Sequence, residues 1–123
     1  MSKESFAEFR ERRRRENERV LETDNLLIKR FFSLDHQCYR DGVLPGRTKE
    51  LLGLVASMVL RCNDCIDYHL EQCVVAGYSS AEIEEAMSVA LVVGGSIVIP
   101  HLRHARTSLD TLFEEKIAAD GPQ

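Results

Sequence analysis

The chain has 123 residues, of which 44% are hydrophobic and 29% are charged, as in ordinary folded domains, and it is too short for two domains of usual size. Its formal net charge of -4 argues against a basic surface spanning the molecule, so we expect no nucleic-acid partner. We expect a helical domain over residues 23–118, preceded by a charged N-terminal helical arm over residues 1–22 and followed by a frayed tail over residues 119–123.

Membrane insertion and secretion are not expected. The longest apolar stretch, MSVALVVGGSIVIP at residues 87–100, falls short of the ~20 residues that span a bilayer. The chain begins MSKESFAEFRERRRR with no apolar run behind the charges, which predicts a cytoplasmic protein without a secretory signal. We interpret the basic run RERRRR at residues 10–15 as a solvated helix face, with an anionic-lipid or nucleic-acid contact as the weaker alternative.

Apolar residues recur at helical spacing nearly everywhere, so the sequence predicts an all-α fold, a single compact domain of about six helices. The first helix is expected over residues 5–21. Thr23 or Asp24 is expected to cap the second, whose apolar stripe includes Cys38 as a core residue. The amount of apolar surface also predicts assembly with further copies of the chain.

The turn RDGVLPG at residues 40–46 separates the second helix from a third. Residues 51–60 are almost all apolar, so we expect the third helix to be buried on nearly all sides. A fourth helix carries the octet CNDCIDYH at residues 62–69 and is expected to end before Gly77 in the left-handed conformation.

Ser79 and Glu82 form an S-x-x-E capping box that is expected to begin the fifth helix. Gly94 and Gly95 interrupt that helix and indicate close helix packing. The last helix is then predicted from about Ser96, with the proline that follows tolerated in its first turn.

The octet could hold a metal ion, because Cys62, Cys65, His69 and Cys73 form a C-x2-C-x3-H-x3-C series resembling a zinc site. On one helix, however, Cys62 and Cys73 would lie roughly 16 Å apart, so one ion cannot bind all four. A three-ligand site stays an alternative. A structural disulfide between Cys62 and Cys65 would close too short a loop to add much stability.

A redox pair explains more of the octet. A thiolate is the reactive form of cysteine, and a C-x-x-C at a helix N-terminus benefits from unpaired backbone N–H groups and the helix dipole. His69 follows Cys65 by four residues, so it would lie on the same helix face and could accept a proton. Glu50 could receive that proton next, although it could equally be an acid that merely favours a helix N-terminus.

The pattern E-x11-C-x2-C-x3-H, followed by AGYSSAEIEEAMSVALVVGG, resembles the carboxymuconolactone decarboxylase superfamily, specifically its alkyl hydroperoxide reductase D-like branch. The resemblance covers residues 50–95. It implies a six-helix unit that reduces peroxides or disulfides with thiols. We expect no bound cofactor or metal. The resemblance also implies an external dithiol donor such as a lipoylated protein, and a trimer or hexamer.

Residue by residue, the resemblance makes Cys65 the thiol deprotonated with help from His69, Cys62 its disulfide partner and Glu50 the distal relay carboxylate. Asp64 departs from the C-x-H-C of the hydroperoxide reductase itself, and an acid there disfavours a neighbouring thiolate. We therefore expect slower peroxide chemistry or a disulfide substrate. Decarboxylation is a weaker hypothesis.

Three residues outside the pattern have simpler interpretations. Cys73 is expected to pack in the core, with some chance of a role because it shares the face of His69. His101 and His104 are interpreted as surface or subunit-contact residues, with a smaller chance that His101 lines the pocket. The alternative for the whole protein is a non-catalytic oligomeric binding protein, or one whose thiols hold a metal.

Overall fold

The computed structural model describes residues 4–120, which form six α-helices and no strand. The all-α class and the expected number of helices are therefore confirmed. In chain order the helices are α1 (Phe6–Leu21), α2 (Leu26–Cys38), α3 (Gly46–Val59), α4 (Asn63–Val75), α5 (Ser80–Gly94) and α6 (Ile99–Asp120), with a 3₁₀ turn at Ser96–Val98. Helix α6 extends into the expected tail, and the rest of that tail lies outside the described residues.

The chain packs as two units, Met1–Arg40 and Asp41–Gln123. The first contains α1 and α2, and the second contains the other four helices. The boundary expected between residues 22 and 23 is drawn where the charged N-terminal arm ends, and not from packing. It stays a prediction.

Helix α1 pairs much of its basic run with acids of its own sequence. Ser5 caps the helix by accepting a hydrogen bond from the N–H of Glu8 at 3.1 Å. Side-chain ion pairs then follow at helical spacing: Arg12 with Glu16, Arg14 with Glu11 and Glu18, and Arg19 with Glu22. Such exposed pairs add little to stability, and they agree with a solvated helix face.

Helix α2 differs from expectation at its start and on its apolar face. Its cap is Asn25, whose side chain accepts the N–H of Leu27 at 2.9 Å, whereas the sequence predicts Thr23 or Asp24. Thr23 instead accepts the N–H of Asn25. No residue of α2 is buried, and Cys38 is exposed, so its predicted place in the core is wrong for the single chain.

The core of the second unit lies among α3, α4, α5 and α6. Helix α3 packs against α4 and α5, and α4 packs against α6. The largest fully buried apolar side chains in this core are Leu54, Met58, Ile66, Leu70, Ile83, Met87, Val98 and Leu109. Together these contacts fix α4, the helix of the cysteine octet, between α3 and α6.

Helix α3 is less buried than its composition predicts. Leu54 and Met58, one turn apart, are completely buried, but Leu52 is 56% exposed and Leu60 is 77% exposed. The prediction of burial on nearly all sides is therefore wrong within one chain. Apolar composition predicts that a helix is buried, but it does not predict which of its faces are buried within one chain.

Helices α3 and α4 end in the same hydrogen-bonded motif, in which the residue after the cap is left-handed. After α3 that residue is Arg61, with φ 61°, and the next N–H, of Cys62, bonds the carbonyl of Ser57 at 3.0 Å. After α4 it is Gly77, with φ 93°, as predicted. An L-residue pays about 1 to 2 kcal/mol for this conformation, so glycine is the usual choice and Arg61 is the exception.

Helix α5 begins and ends as the sequence predicts. Ser79 accepts the N–H of Glu82 at 3.1 Å and Glu82 accepts the N–H of Ser79 at 2.9 Å, which completes the capping box. The hydrogen bond from the backbone N–H of Ser79 is the largest cause that lowers the pKa of the Glu82 carboxyl group. A side chain at Gly94 would collide with Val98, and Gly95 has φ 81°, so close packing explains the first glycine and backbone conformation the second.

Within residues 4–120, no helix is both long enough and apolar enough to cross a membrane.

Candidate active site

The two cysteines of the octet lie at the beginning of α4. Cys62 is the N-cap, and its sulfur accepts a hydrogen bond from the N–H of Cys65 at 3.3 Å. Cys62 is half-buried and Cys65 is exposed, and no disulfide joins them. A sulfur that takes the place of a capping oxygen faces the positive end of the helix dipole, and a thiolate gains more from that position than a thiol does.

His69, one turn after Cys65 on α4, forms a hydrogen bond with Glu50 of α3. Its Nδ1 lies 2.8 Å from Oε2 of Glu50, and the two side chains are only 10% and 13% exposed. Because a carboxylate can only accept, Nδ1 carries the hydrogen. The neutral ring then has its lone pair on Nε2, which is the nitrogen able to take a proton.

Gly53 makes room for this imidazole. A Cβ at Gly53 would lie 2.7 Å from Cε1 and 2.9 Å from both nitrogens of His69, which is closer than real Cβ contacts. The ring therefore lies directly against the α3 backbone, three residues after Glu50. Helix α3 thus supplies both the carboxylate that orients the ring and the space that the ring occupies.

Ser57 connects the two parts of the site through α3. Its hydroxyl donates to the carbonyl of Gly53 at 2.6 Å, and its own carbonyl accepts the N–H of Cys62 at 3.0 Å. Ser57 is buried, so neither bond competes freely with water. The backbone beneath His69 and the backbone of Cys62 are therefore held by one residue.

Cys73 belongs to the core rather than to the reactive thiols. It is completely buried on α4, one turn after His69, as the sequence predicts. Burial, and then the negative charge of Glu50, raise the pKa of Cys73 to about 12. The thiol therefore stays protonated at neutral pH and is a poor nucleophile.

Two histidines of α6 also bind α4. Nδ1 of His101 lies 2.8 Å from Oδ1 of Asn63, and Nε2 of His104 lies 2.9 Å from Oδ1 of Asp67. His104 and Asp67 are 19% and 13% exposed. The sequence favours surface or subunit-contact positions for both histidines, with a smaller chance that His101 lines the pocket, and the structure shows each in contact with a residue of the cysteine octet.

The sequence spacing of these four residues predicts which of them share a helix face, but not which of them pair. His101 and His104 are three apart, and Asn63 and Asp67 are four apart, so each pair lies along one helix face. The pairing itself joins residues 38 and 37 positions apart, and no local pattern reports such a contact.

The structure thus brings Glu50 and His69 into direct contact and places both cysteines in the first turn of α4, with Cys65 and His69 four residues apart on that helix. Their chemical roles stay predictions at this point. Asp64 lies in the same first turn, where the helix dipole favours an acid.

No group of three or more metal-ligating side chains is arranged for an ion among the described residues.

Comparison with known proteins places the chain in context. Residues 26–107 match the model of the carboxymuconolactone decarboxylase family. A curated protein of Paracoccus denitrificans, uncharacterized protein 4 in the cox locus, is 29% identical over 82 residues, which are 67% of this chain and 74% of that protein. Residues 26–107, which match the family model, include both the cysteine octet and Glu50.

Solved structures agree with the fold. A carboxymuconolactone decarboxylase family protein of Thermotoga maritima, for which a role in antioxidative response has been suggested, is 56% identical with a TM-score of 0.87. The match covers 92% of this chain and 96% of that one. A family protein of Legionella pneumophila, 21% identical with a TM-score of 0.78 over 87% of this chain and 96% of that one, supports the fold alone.

Proposed function

Because this chain belongs to the carboxymuconolactone decarboxylase family, we propose that it is a thiol-dependent antioxidant oxidoreductase, of the alkyl hydroperoxide reductase D-like kind, with Cys62 and Cys65 as the redox pair. The observation that carries the proposal is the buried hydrogen bond between Glu50 and His69, with His69 one turn after Cys65 and two turns after Cys62 on α4. The suggested antioxidative role of the Thermotoga maritima relative supports the same class of chemistry.

In the proposed cycle, His69 takes the proton of Cys65 through Nε2, and Glu50 stabilises the resulting imidazolium. The Cys65 thiolate attacks one oxygen of a hydroperoxide, so that a sulfur–oxygen bond forms while the O–O bond breaks. The departing alkoxide takes a proton and leaves as an alcohol, or as water when the substrate is hydrogen peroxide. Cys65 is then a sulfenic acid.

The second half of the proposed cycle closes the disulfide. Cys62 attacks the sulfenic sulfur, the S–S bond forms, and the hydroxyl leaves as water with the proton of the Cys62 thiol. Two thiols and one hydroperoxide thereby become one disulfide, one alcohol and one water. An external dithiol, for which a lipoylated protein is our candidate, restores the pair by thiol–disulfide exchange.

A disulfide substrate enters the same scheme at the first attack. The Cys65 thiolate would then displace a thiolate from the substrate disulfide, and Cys62 would release the second thiol. Asp64, in the first turn of α4, is the reason for retaining this substrate class, since its charge opposes a thiolate beside it.

We also propose that the protein functions as a homo-oligomer, a trimer or hexamer. Within one chain, several apolar side chains of the second unit remain more than half exposed, among them Leu60 at 77%, Val92 at 84% and Val93 at 69%. Apolar surface of this kind is commonly covered by further copies of a chain. Light scattering of the purified full chain measures the assembly directly, and a monomer at all concentrations contradicts this part of the proposal.

The experiment for the proposed chemistry uses the fully reduced protein. Treatment with hydrogen peroxide or cumene hydroperoxide, followed by alkylation and mass spectrometry, is expected to show a Cys62–Cys65 disulfide that dihydrolipoamide reduces. Cys65→Ser should abolish the disulfide. Cys38→Ser is the matched control, because Cys38 is an exposed thiol of the first unit and its loss should change nothing.

Two results contradict the proposal. If the wild-type chain forms no such disulfide with any peroxide or small disulfide, it is not an enzyme of this class. If stoichiometric zinc is present after purification without added metal and is lost in Cys62→Ser, the thiols hold a metal instead.

A further inference from the structure

We propose that His101 transfers the proton for the closing of the disulfide, as His69 does for the first attack; this inference rests on the proposed function. The two thiols of the pair would then each be served by a different histidine from a different helix. His69 belongs to α4 itself, whereas His101 belongs to α6.

The chemistry of closing requires a second proton transfer. When Cys62 attacks the sulfenic sulfur of Cys65, the Cys62 thiol gives up a proton and the departing hydroxide must gain one to leave as water. A side chain that accepts the first proton and delivers it to the hydroxide lowers the barrier at both ends of this step. His69 is tied to Glu50 and is four residues from Cys65, so it is placed for the first attack.

His101 is held at the Cys62 end of the pair. Its Nδ1 lies 2.8 Å from Oδ1 of Asn63, the residue that directly follows Cys62 and begins α4. An amide oxygen only accepts, so Nδ1 carries the hydrogen and the lone pair of the neutral ring is on Nε2. Among the described residues, none forms a hydrogen bond with that Nε2, which leaves it able to take a proton.

The second contact between α6 and α4 keeps His101 in this position. His104 lies one turn after His101, Asp67 lies one turn after Asn63, and their hydrogen bond of 2.9 Å is mostly buried. Two bonds one turn apart fix both the approach and the rotation of the beginning of α6. The His104–Asp67 bond therefore helps to keep the His101 ring beside Asn63.

The decisive variant is His101→Asn. The asparagine side-chain amide reaches the place of Nδ1 and can still donate to Asn63, but it cannot take up a proton. Rapid mixing of the reduced protein with peroxide, with dimedone as a trap, separates formation of the sulfenic acid at Cys65 from closing of the disulfide. We expect the first step to be unchanged and the second to slow by about 100-fold, the low end of general acid–base effects.

The trapped Cys65–dimedone adduct should rise accordingly in His101→Asn. Asn63→Ala removes the same contact from the other side and should slow closing in the same way, which provides a second route if the first variant folds poorly. His36→Asn is the matched control, because His36 is an exposed histidine of α2. It should leave both steps at wild-type rates.

Each outcome decides the inference. Closing at the wild-type rate in His101→Asn would mean that His101 only holds Asn63, and the inference would be wrong. Equal slowing of both steps would indicate a general distortion of α4 and would also overturn it. If the wild type forms no disulfide at all, the proposed function fails first, and the inference fails with it.

Discussion

Helix α4 shares one histidine–carboxylate pair with α3 and another with α6, and the two are built in opposite senses. In the first pair the histidine, His69, is on α4 and the carboxylate, Glu50, is on α3. In the second, the carboxylate, Asp67, is on α4 and the histidine, His104, is on α6. The hydrogen bonds are nearly equal, at 2.8 Å and 2.9 Å.

The difference between them lies in their surroundings. The His69 ring lies against Gly53, where no side chain would fit, and the charge of Glu50 acts on a buried thiol. His104 is almost twice as exposed as His69, at 19% against 10%. A short bond alone therefore does not identify a proton relay. We interpret the first pair as the relay and the second as a joint between helices.

The largest expected contrast is in the rate of disulfide formation. Glu50→Gln keeps an oxygen that can accept from Nδ1 of His69 but removes the charge that stabilises the imidazolium, so we expect peroxide-driven oxidation to slow by roughly 100-fold. Asp67→Asn makes the same change in the other pair and should slow it less than about 3-fold. Stopped-flow measurement of both variants checks the assignment, and equal rates would end the distinction.

Gly53→Ala should lower activity although alanine favours the helical conformation of α3. Alanine favours a helix over glycine by about 1 kcal/mol, yet the added methyl group must displace the His69 ring. We expect oxidation to slow by about 10-fold with near-normal thermal stability. Gly42→Ala is the control, because a Cβ there would lie 3.5 Å from its nearest neighbour, an ordinary contact. Unchanged activity in Gly53→Ala would mean that the ring moves without consequence.

The second pair should matter more to stability than to chemistry. His104→Leu leaves the mostly buried Asp67 without its ring partner, and an unsatisfied group of this kind costs about 1 to 2 kcal/mol in the free energy of unfolding. Urea denaturation measures this loss. A matched change at an exposed histidine, His36→Leu, should alter the free energy of unfolding by less than about 0.5 kcal/mol.

The smallest effect concerns Cys73, whose pKa is raised to about 12 from an ordinary value of 9.0 by burial and by Glu50. Because the folded pKa is the higher one, this thiol's contribution to stability is complete below pH 9 and is lost as the pH rises toward 12. At pH 8 iodoacetamide should label Cys65 but not Cys73 in the folded protein. Glu50→Gln should speed Cys73 labelling only slightly, since burial is the larger cause.

Local signals in the sequence were sufficient for most of the fold. The capping box of Ser79 and Glu82, the left-handed Gly77 and the packing at Gly94 each depend on neighbours within a few residues. The interactions that determine these features join residues close in sequence, so a sequence pattern can predict them. Sequence alone does not predict the cap of α2, because Thr23, Asp24 and Asn25 are all good capping residues. The backbone conformation decides that Asn25 is the cap.

Burial and long-range pairing were harder to predict. Periodicity indicates apolar faces on α2 and α3, but Cys38 and Leu52 are exposed within the described part of the single chain. The relay candidates Glu50 and His69 came from spacing and family resemblance. Their contact spans 19 residues, and its geometry depends on Gly53, whose importance is visible only once α3 and α4 are packed.

Ser57 gives the junction of α3 and α4 a further consequence. Its bonds to Gly53 and Cys62 mean that the amide of Cys62 is protected from hydrogen exchange by the same residue that closes the last turn of α3. Local opening of that turn would release the backbone of Cys62 without unfolding the core. The exchange rate of this single amide, compared between the reduced and oxidised protein, therefore measures how much the redox state of the pair stiffens or loosens the end of α3.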